Sequence, residues 1–114
     1  MKTNNKIEVI KTMEKAFRDY DFLNTDTFIN CNGINRKFKN KEIFKGFEIV
    51  ILLNNQGFTV DVYKKDELIF IDYLGFEEIN LYFQNGLSLS ILVEIAIDLI
   101  ERDLRIKRSK NYVK

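Results

Sequence analysis

Between Phe47 and Leu74 three successive runs, "FEIVILL" (47–53), "FTVDVYK" (58–64) and "LIFIDYL" (68–74), carry β-branched and aromatic residues in alternation, the first two ending in polar turns and the third at Gly75. Such a pattern suits strands, where successive side chains point to opposite faces, and not a helix, whose faces repeat every 3.6 residues. An antiparallel meander is therefore the constraint that the rest of the chain must satisfy. Its register follows from the turns. With "NNQG" as a four-residue loop, Leu53 faces Phe58, Ile51 faces Val60 and Ile49 faces Val62. With a two-residue turn at the next tip, Val62 faces Ile69 and Val60 faces Ile71. One face then carries Phe47, Ile49, Ile51, Leu53, Phe58, Val60, Val62, Ile69, Ile71 and Tyr73. That set is uniformly apolar and is the expected core face. The opposite face carries Glu48, Val50, Leu52, Thr59, Asp61, Tyr63, Leu68, Phe70 and Asp72.

The flanks change period. Residues 5–20 place Ile7, Ile10, Met13, Phe17 and Tyr20 on one helical stripe, with Val9 and Ala16 beside it, and Asn5 with Glu8 reads as a capping pair. "TFINCNGINRKF" holds Asn32-Gly33, a hairpin signal. "FEEINLYFQ" (76–84) alternates Ile79, Leu81 and Phe83 and reads as one more strand. From Ser88 to Lys107 a second helix follows, with Leu89, Leu92, Val93, Ala96, Leu99 and Ile100 as its stripe, widened by Ile91 and Ile95. On its polar side Asp98/Arg102 and Glu101/Arg105 have the acid-first i,i+4 spacing of ion pairs. The tail "RSKNYVK" reads as frayed. The expected fold is a single α+β domain over residues 1–114: an N-terminal helix, an antiparallel meander of four to six strands and a C-terminal helix, both helices on one face of the sheet.

Composition narrows the chemistry. The 114 residues include no His, Pro or Trp and a single cysteine, Cys31. Without His, the usual Ser-His and Cys-His nucleophiles are unavailable. No zinc spacing and no glycine-rich phosphate loop is present. Cys31, beside the Asn-Gly turn, reads as a buried or incidental thiol. It allows no intrachain disulfide and fits a reducing, cytoplasmic setting. The opening "MKTNNKIEVIKTMEKAF" alternates charged with apolar residues, unlike a signal peptide, and the apolar runs fall short of the ~20 residues of a membrane span. Asp61 and Asp72 could hold an all-oxygen metal site across their hairpin, but no acid is followed two residues later by Lys, as a metal-dependent nuclease strand would require. No catalytic residue, metal or cofactor is assigned.

Binding remains. The expected outer face is a sheet surface with little chain left to cover it, and its apolar and aromatic members surround two acids. Val50, Leu52, Asp61, Tyr63, Leu68, Phe70 and Asp72 are the candidate residues for a protein partner or a homodimer. Charge is segregated although the net is +1. Residues 36–45 hold Arg36, Lys37, Lys39, Lys41 and Lys45 against the single acid Glu42, residues 61–78 are acidic, and residues 102–114 are basic. "NRKFKNKEIFKGF" interleaves those cations with Phe38, Phe44 and Phe47. The alternative reading is therefore a nucleic-acid-binding module using Arg36, Lys37, Lys39, Lys41 and Lys45 together with the basic tail.

The order helix, meander, helix resembles the double-stranded-RNA-binding domain, but that family's lysine-rich start to the last helix is replaced here by "NGLSLSILVEIAIDL". In size, in its His-free, Asn/Lys/Ile-rich composition and in its layout, the whole chain is similar to small inhibitor proteins of phages and mobile elements, anti-CRISPR proteins among them. That resemblance carries no motif. It implies a non-catalytic protein that blocks a host protein through a charged surface, here the acidic-aromatic sheet face.

Overall fold

A computed structural model describes residues 2–109. Helix α1 (Lys2–Asp19) starts three residues before the expected cap, so Asn5 lies inside it. Its stripe of Val9, Ile10, Met13, Ala16 and Phe17 is buried, continued by Tyr20 just beyond. Asp21, at φ 65°, turns the chain into β1 (Leu23–Asn30). The meander continues through β2 (Gly33–Asn40), β3 (Glu48–Asn54), β4 (Gly57–Lys64) and β5 (Glu67–Gly75). These form one antiparallel sheet in the order β1-β2-β3-β4-β5.

The β3–β4 register is the one the turns dictate: Leu53 opposite Phe58, Ile51 opposite Val60, Ile49 opposite Val62. The β4–β5 tip is also a two-residue turn. Lys65 and Asp66 both sit at positive φ, 50° and 67°, the mirror-image geometry that suits the twist of a hairpin. Just past this turn the expected register fails. Tyr63 pairs with Leu68, but Val62 pairs with Phe70, so Ile69 is an extra residue in a β-bulge. Beyond it Val60 faces Asp72 and Asp61 faces Ile71. A one-residue slip exchanges the faces of a strand. Phe70 and Leu74 therefore pack on the core, while Ile71 and Tyr73 stand 63% and 54% exposed. The strands close together at Gly57, whose φ is +135° and where a Cβ would lie 2.0 Å from the Leu74 carbonyl oxygen.

The segment 76–84 is not a strand but helix α2 (Phe76–Gln84). Gly75 ends β5, and Glu77 and Glu78 in the first turn favour a helix N-terminus. Ile79 is buried and Phe76, Tyr82 and Phe83 pack against the core, a helical rather than an alternating set, and Leu81 is exposed. Helix α3 (Ser90–Leu104) buries Leu92, Val93, Ala96, Ile97 and Ile100, leaves Ile91 and Ile95 exposed, and stops at Arg105 in the left-handed conformation.

One core joins these elements. Phe38, Ile49, Ile51, Leu53, Phe58, Val60 and Val62 from the inner face of the sheet meet α1, α2 and α3. Phe17 of α1 sets its ring against Phe38 and Phe58, with centroids 5.4 and 5.2 Å apart. The polar exception on this face is Asn40. Its Nδ2 donates to the Tyr20 and Asp21 carbonyls and its Oδ1 accepts from the Glu42 and Ile43 N–H groups, which joins the corner after α1 to the β2–β3 loop.

The carboxylates of α3 pair differently from the i,i+4 expectation. Glu94, Asp98 and Glu101 converge on Arg108, beyond the helix, while Arg102 turns to Asp103. Tyr20 donates its hydroxyl to Glu94. Burial and this bond push the Tyr20 phenol up to about 12. Burial alone would raise the Glu94 carboxyl, but its bonds to Arg108 and Tyr20 outweigh that and hold it below the ordinary value. Ser109 then donates its N–H to the Ile43 carbonyl, so the start of the expected frayed tail is pinned. Residues 110–114 lie outside the described residues.

Candidate functional site

The outer face is built from the residues that alternate with the core. Register places them in rows across the strands. Leu23, Lys39, Val50, Asp61 and Ile71 form one row; Asp26, Lys37, Leu52, Thr59 and Tyr73 form the next. Glu48, Tyr63 and Leu68 form a third beside the first. None of the apolar members packs against the core cluster. Val50, Leu52 and Tyr63 are half-buried by their neighbours, and Leu68, Ile71 and Tyr73 are exposed.

One end of the face is closed by amides. Asn35 is fully buried there: its Nδ2 donates to Asn30 Oδ1 and to the Gly33 carbonyl, and its Oδ1 accepts from Asn54. Gln56 donates to Asn32 and accepts the Tyr73 hydroxyl on its carbonyl, which ties two hairpin tips together. Along the β1 edge a bulge between Asn24 and Asp26 interrupts the ladder, and the Asn24 amide fills the gap by donating to the Asp26 and Lys37 carbonyls. Away from these amides the surface is open, and its apolar residues alternate along the rows with Lys37, Lys39, Thr59 and Asp61.

Asp61 lies in that open region, between Val50 on one side and Ile71 on the other. Burial by these neighbours pushes its carboxyl up, and the Lys37 ammonium pulls it only partly back. No described side chain donates a hydrogen bond to it. It is a carboxylate set among apolar groups and held by charge alone.

Of the seven residues the sequence assigned to this face, Val50, Leu52, Asp61, Tyr63 and Leu68 are together on it. Phe70 and Asp72 are not: the bulge turns both to the inner side, where Asp72 stands at the edge of the sheet beside Tyr82 and Leu92. Asp61 and Asp72 thus lie on opposite faces and cannot share a metal ion. Among the described residues no three His, Cys, Asp or Glu side chains gather as a metal site. Ile71 and Tyr73 take the vacated places. Leu23 and Phe28 extend the apolar surface towards β1, a strand whose weak patterning hid them.

The basic segment divides. Arg36 is on the inner side, paired with Glu14 of α1. Lys37 and Lys39 are on the outer face, while Lys41 and Lys45 lie in the following loop. Lys39 and Lys41 each place Nζ 4.0 Å from Glu48. The aromatics interleaved with these cations are not stacking surfaces: Phe38 and Phe44 are core residues, and Phe47 packs against the core. Cys31 is a free, exposed thiol in the first hairpin turn. Among the described residues no helix is long and apolar enough to cross a membrane. No protein-family model, no curated protein and no solved structure matches the chain.

Proposed function

We propose that this protein is a non-catalytic binding module that engages a protein partner through the outer face of its sheet. The observation that supports the reading is the open apolar surface of Val50, Leu52, Tyr63, Leu68, Ile71 and Tyr73 around Asp61, none of it packed on the core. Contiguous apolar surface of this kind is uncommon on a monomer unless something binds there. Aromatic and aliphatic residues grouped around a partly desolvated charge is a layout that interface centres use. Asp61 supplies specificity: its carboxylate gains most from a cationic or N–H-donating group brought by the partner, because water is already partly excluded around it.

The small size, His-free composition and helix–meander–helix layout support an inhibitor of the kind made by phages and mobile elements, anti-CRISPR proteins included, acting in a cytoplasmic setting that suits a free exposed thiol. A cationic group on a host protein is the complement that Asp61, the acid most enclosed by apolar neighbours, would meet. The nucleic-acid alternative loses its aromatics to the core, and the outer-face Lys39 is already engaged by Glu48.

The test is affinity capture from host lysate with wild type and with the double variant Leu52→Lys/Ile71→Lys, alongside sedimentation of each alone. The proposal expects a captured protein that the variant loses while its melting temperature is kept. Equal capture by both would overturn it. Concentration-dependent dimerisation lost in the variant would assign the face to a second copy. Salt-sensitive retention on heparin, abolished when Lys37, Lys39 and Lys41 become Glu, would favour nucleic acid.

A further inference from the structure

On the other side of the molecule a groove of about 710 Å³ runs between α1 and α2 over the start of β2. That is within the ~300–1,000 Å³ of sites that hold small molecules. Its apolar walls come from three separate elements: Ile7 and Ile10 of α1, Ile34 of β2 and Phe76 of α2. Ile7 and Ile34 are 56% and 44% exposed, so apolar surface is left uncovered within a concave site.

The charges in this groove are of one sign. Lys6, Lys11 and Arg36 line it, and no carboxylate does among the described residues. Arg36 is held in place by Glu14, which is not part of the lining. Lys6 lies across the groove with its ammonium 4.8 Å from the centre of the Phe76 ring. A cation over an aromatic face keeps donors available for an anion.

A second observation lies beside the same groove. Asn80 of α2 is one of its lining residues, and Asn80 Oδ1 is buried without a hydrogen-bond partner. It is the single such side-chain atom among the described residues. A buried acceptor left unpaired costs about 1–3 kcal/mol and calls for an explanation. A ligand that brings an N–H or O–H supplies one.

We propose that the groove binds a small amphipathic carboxylate that carries an N–H donor beside its anionic end, the chemistry of an N-acyl amino acid. The carboxylate meets Lys6 and Lys11, the acyl chain covers Ile7, Ile34 and Phe76, and the amide N–H donates to Asn80 Oδ1 once the Asn80 side chain has turned that enclosed atom into the groove. This site is independent of the outer sheet face, and either can fail without the other.

The probe is N-decanoylglycine, titrated by calorimetry below its micelle concentration, with decanoate and N-decanoylglycine methyl ester as comparisons. Saturable binding at one site per chain is expected, weaker by about tenfold for each comparison ligand, a factor that corresponds to one lost charge-assisted contact or hydrogen bond. Lys6→Gln/Lys11→Gln lowers affinity for both carboxylates about tenfold or more. Asn80→Leu lowers it for N-decanoylglycine and leaves decanoate unchanged, a selectivity that a merely structural Asn80 would not produce. Ile71→Lys, on the outer face, changes neither. Melting temperatures confirm that each variant is folded. A dissociation constant weaker than about 1 mM for N-decanoylglycine, equal binding by the lysine variant, or loss of binding in Ile71→Lys overturns the proposal.

Discussion

The two faces of the β3–β4–β5 sheet are made by the same strands from alternate residues, yet their apolar side chains have different fates. On the inner face Ile49, Ile51, Val60 and Val62 are all essentially inaccessible and share one core with three helices. On the outer face Val50, Leu52, Tyr63 and Ile71 lie outside the core cluster, beside Lys39, Lys37, Glu48 and Asp61 in their rows. Each face also has a polar exception. Asn40, inside, has every hydrogen-bonding atom committed to backbone partners. Asp61, outside, has only the nearby charge of Lys37. Folding thus explains the polar residue on one face and leaves the one on the other face without a structural role.

The sharpest way to break this contrast is to put the same charge on each face. Val62→Lys buries an ammonium among Ile49, Phe70 and Asn40, with no acid in its row. An uncompensated buried charge costs more than about 4 kcal/mol, a large part of the stability of a domain this size, so the variant is expected to be unfolded or molten by circular dichroism. Ile71→Lys makes the same chemical change at a 63% exposed site and is expected to stay within about 0.5 kcal/mol of wild type in urea melts. Comparable losses in the two variants would mean that the outer face is packed after all.

How much of the contrast could be read in advance differs strand by strand. In β3 and β4 the alternation is one-sided enough, and "NNQG" short enough, to set both face and register. In β5 it is not. "LIFIDYL" offers Leu68, Phe70, Leu74 and Ile69, Ile71, Tyr73 as two nearly equal apolar sets, so a bulge at Ile69 exchanges them at little cost in pattern. The same ambiguity concealed α2, where Ile79, Leu81 and Phe83 alternate while Phe76, Ile79 and Phe83 follow a helical face. Gly75 and the acids Glu77 and Glu78 were the available signal for a helix start. Arg108 is invisible to any local rule, because the chain reverses at Arg105 before delivering it to Glu101, Asp98 and Glu94. The anionic-ligand groove is still less legible, since its walls come from elements far apart in sequence.

The next contrast is between polar groups that the fold satisfies in different ways. Asn40→Ala removes four hydrogen bonds and leaves buried carbonyl and N–H groups unpaired, an expected loss of about 2–4 kcal/mol. Arg108→Ala leaves three neighbouring carboxylates without their shared cation. Asp98 is well solvated, so the expected loss is about 1–2 kcal/mol rather than that of a fully buried pair. Here pH separates the two variants. Glu94 is held below its ordinary value in the folded state, so its contribution is present above the unfolded value and lost as pH falls through the folded one. The gap between wild type and Arg108→Ala should therefore close in acid, while the gap for Asn40→Ala should not. A gap for Arg108→Ala that persisted through acid would show that its packing, and not the carboxylate cluster, carries the effect.

The smallest effect tests the residue on which the contrast turns. Asp61 has the opposite sign to Glu94: its carboxyl is raised on folding, first by burial, so the folded protein favours the protonated form. The resulting stability is fully present below the unfolded value and is lost as pH rises through the folded one. At neutral pH wild type therefore carries a penalty for keeping an ionised group between Val50 and Ile71. Asp61→Asn keeps the shape and removes the charge, so it is expected to be slightly more stable than wild type at neutral pH. Solvent screening limits the gain to less than about 1 kcal/mol. The gain should shrink as pH is lowered to about 3, where the wild-type carboxyl is protonated in both states. Thermal melts of the pair across that range check the sign. If the same substitution also weakens capture of the partner, the residue trades stability for binding, as expected of a charge that folding does not need. If Asp61→Asn instead destabilises at neutral pH, the attraction of Lys37 outweighs burial, and Asp61 belongs with Asn40 among the residues that hold the fold together.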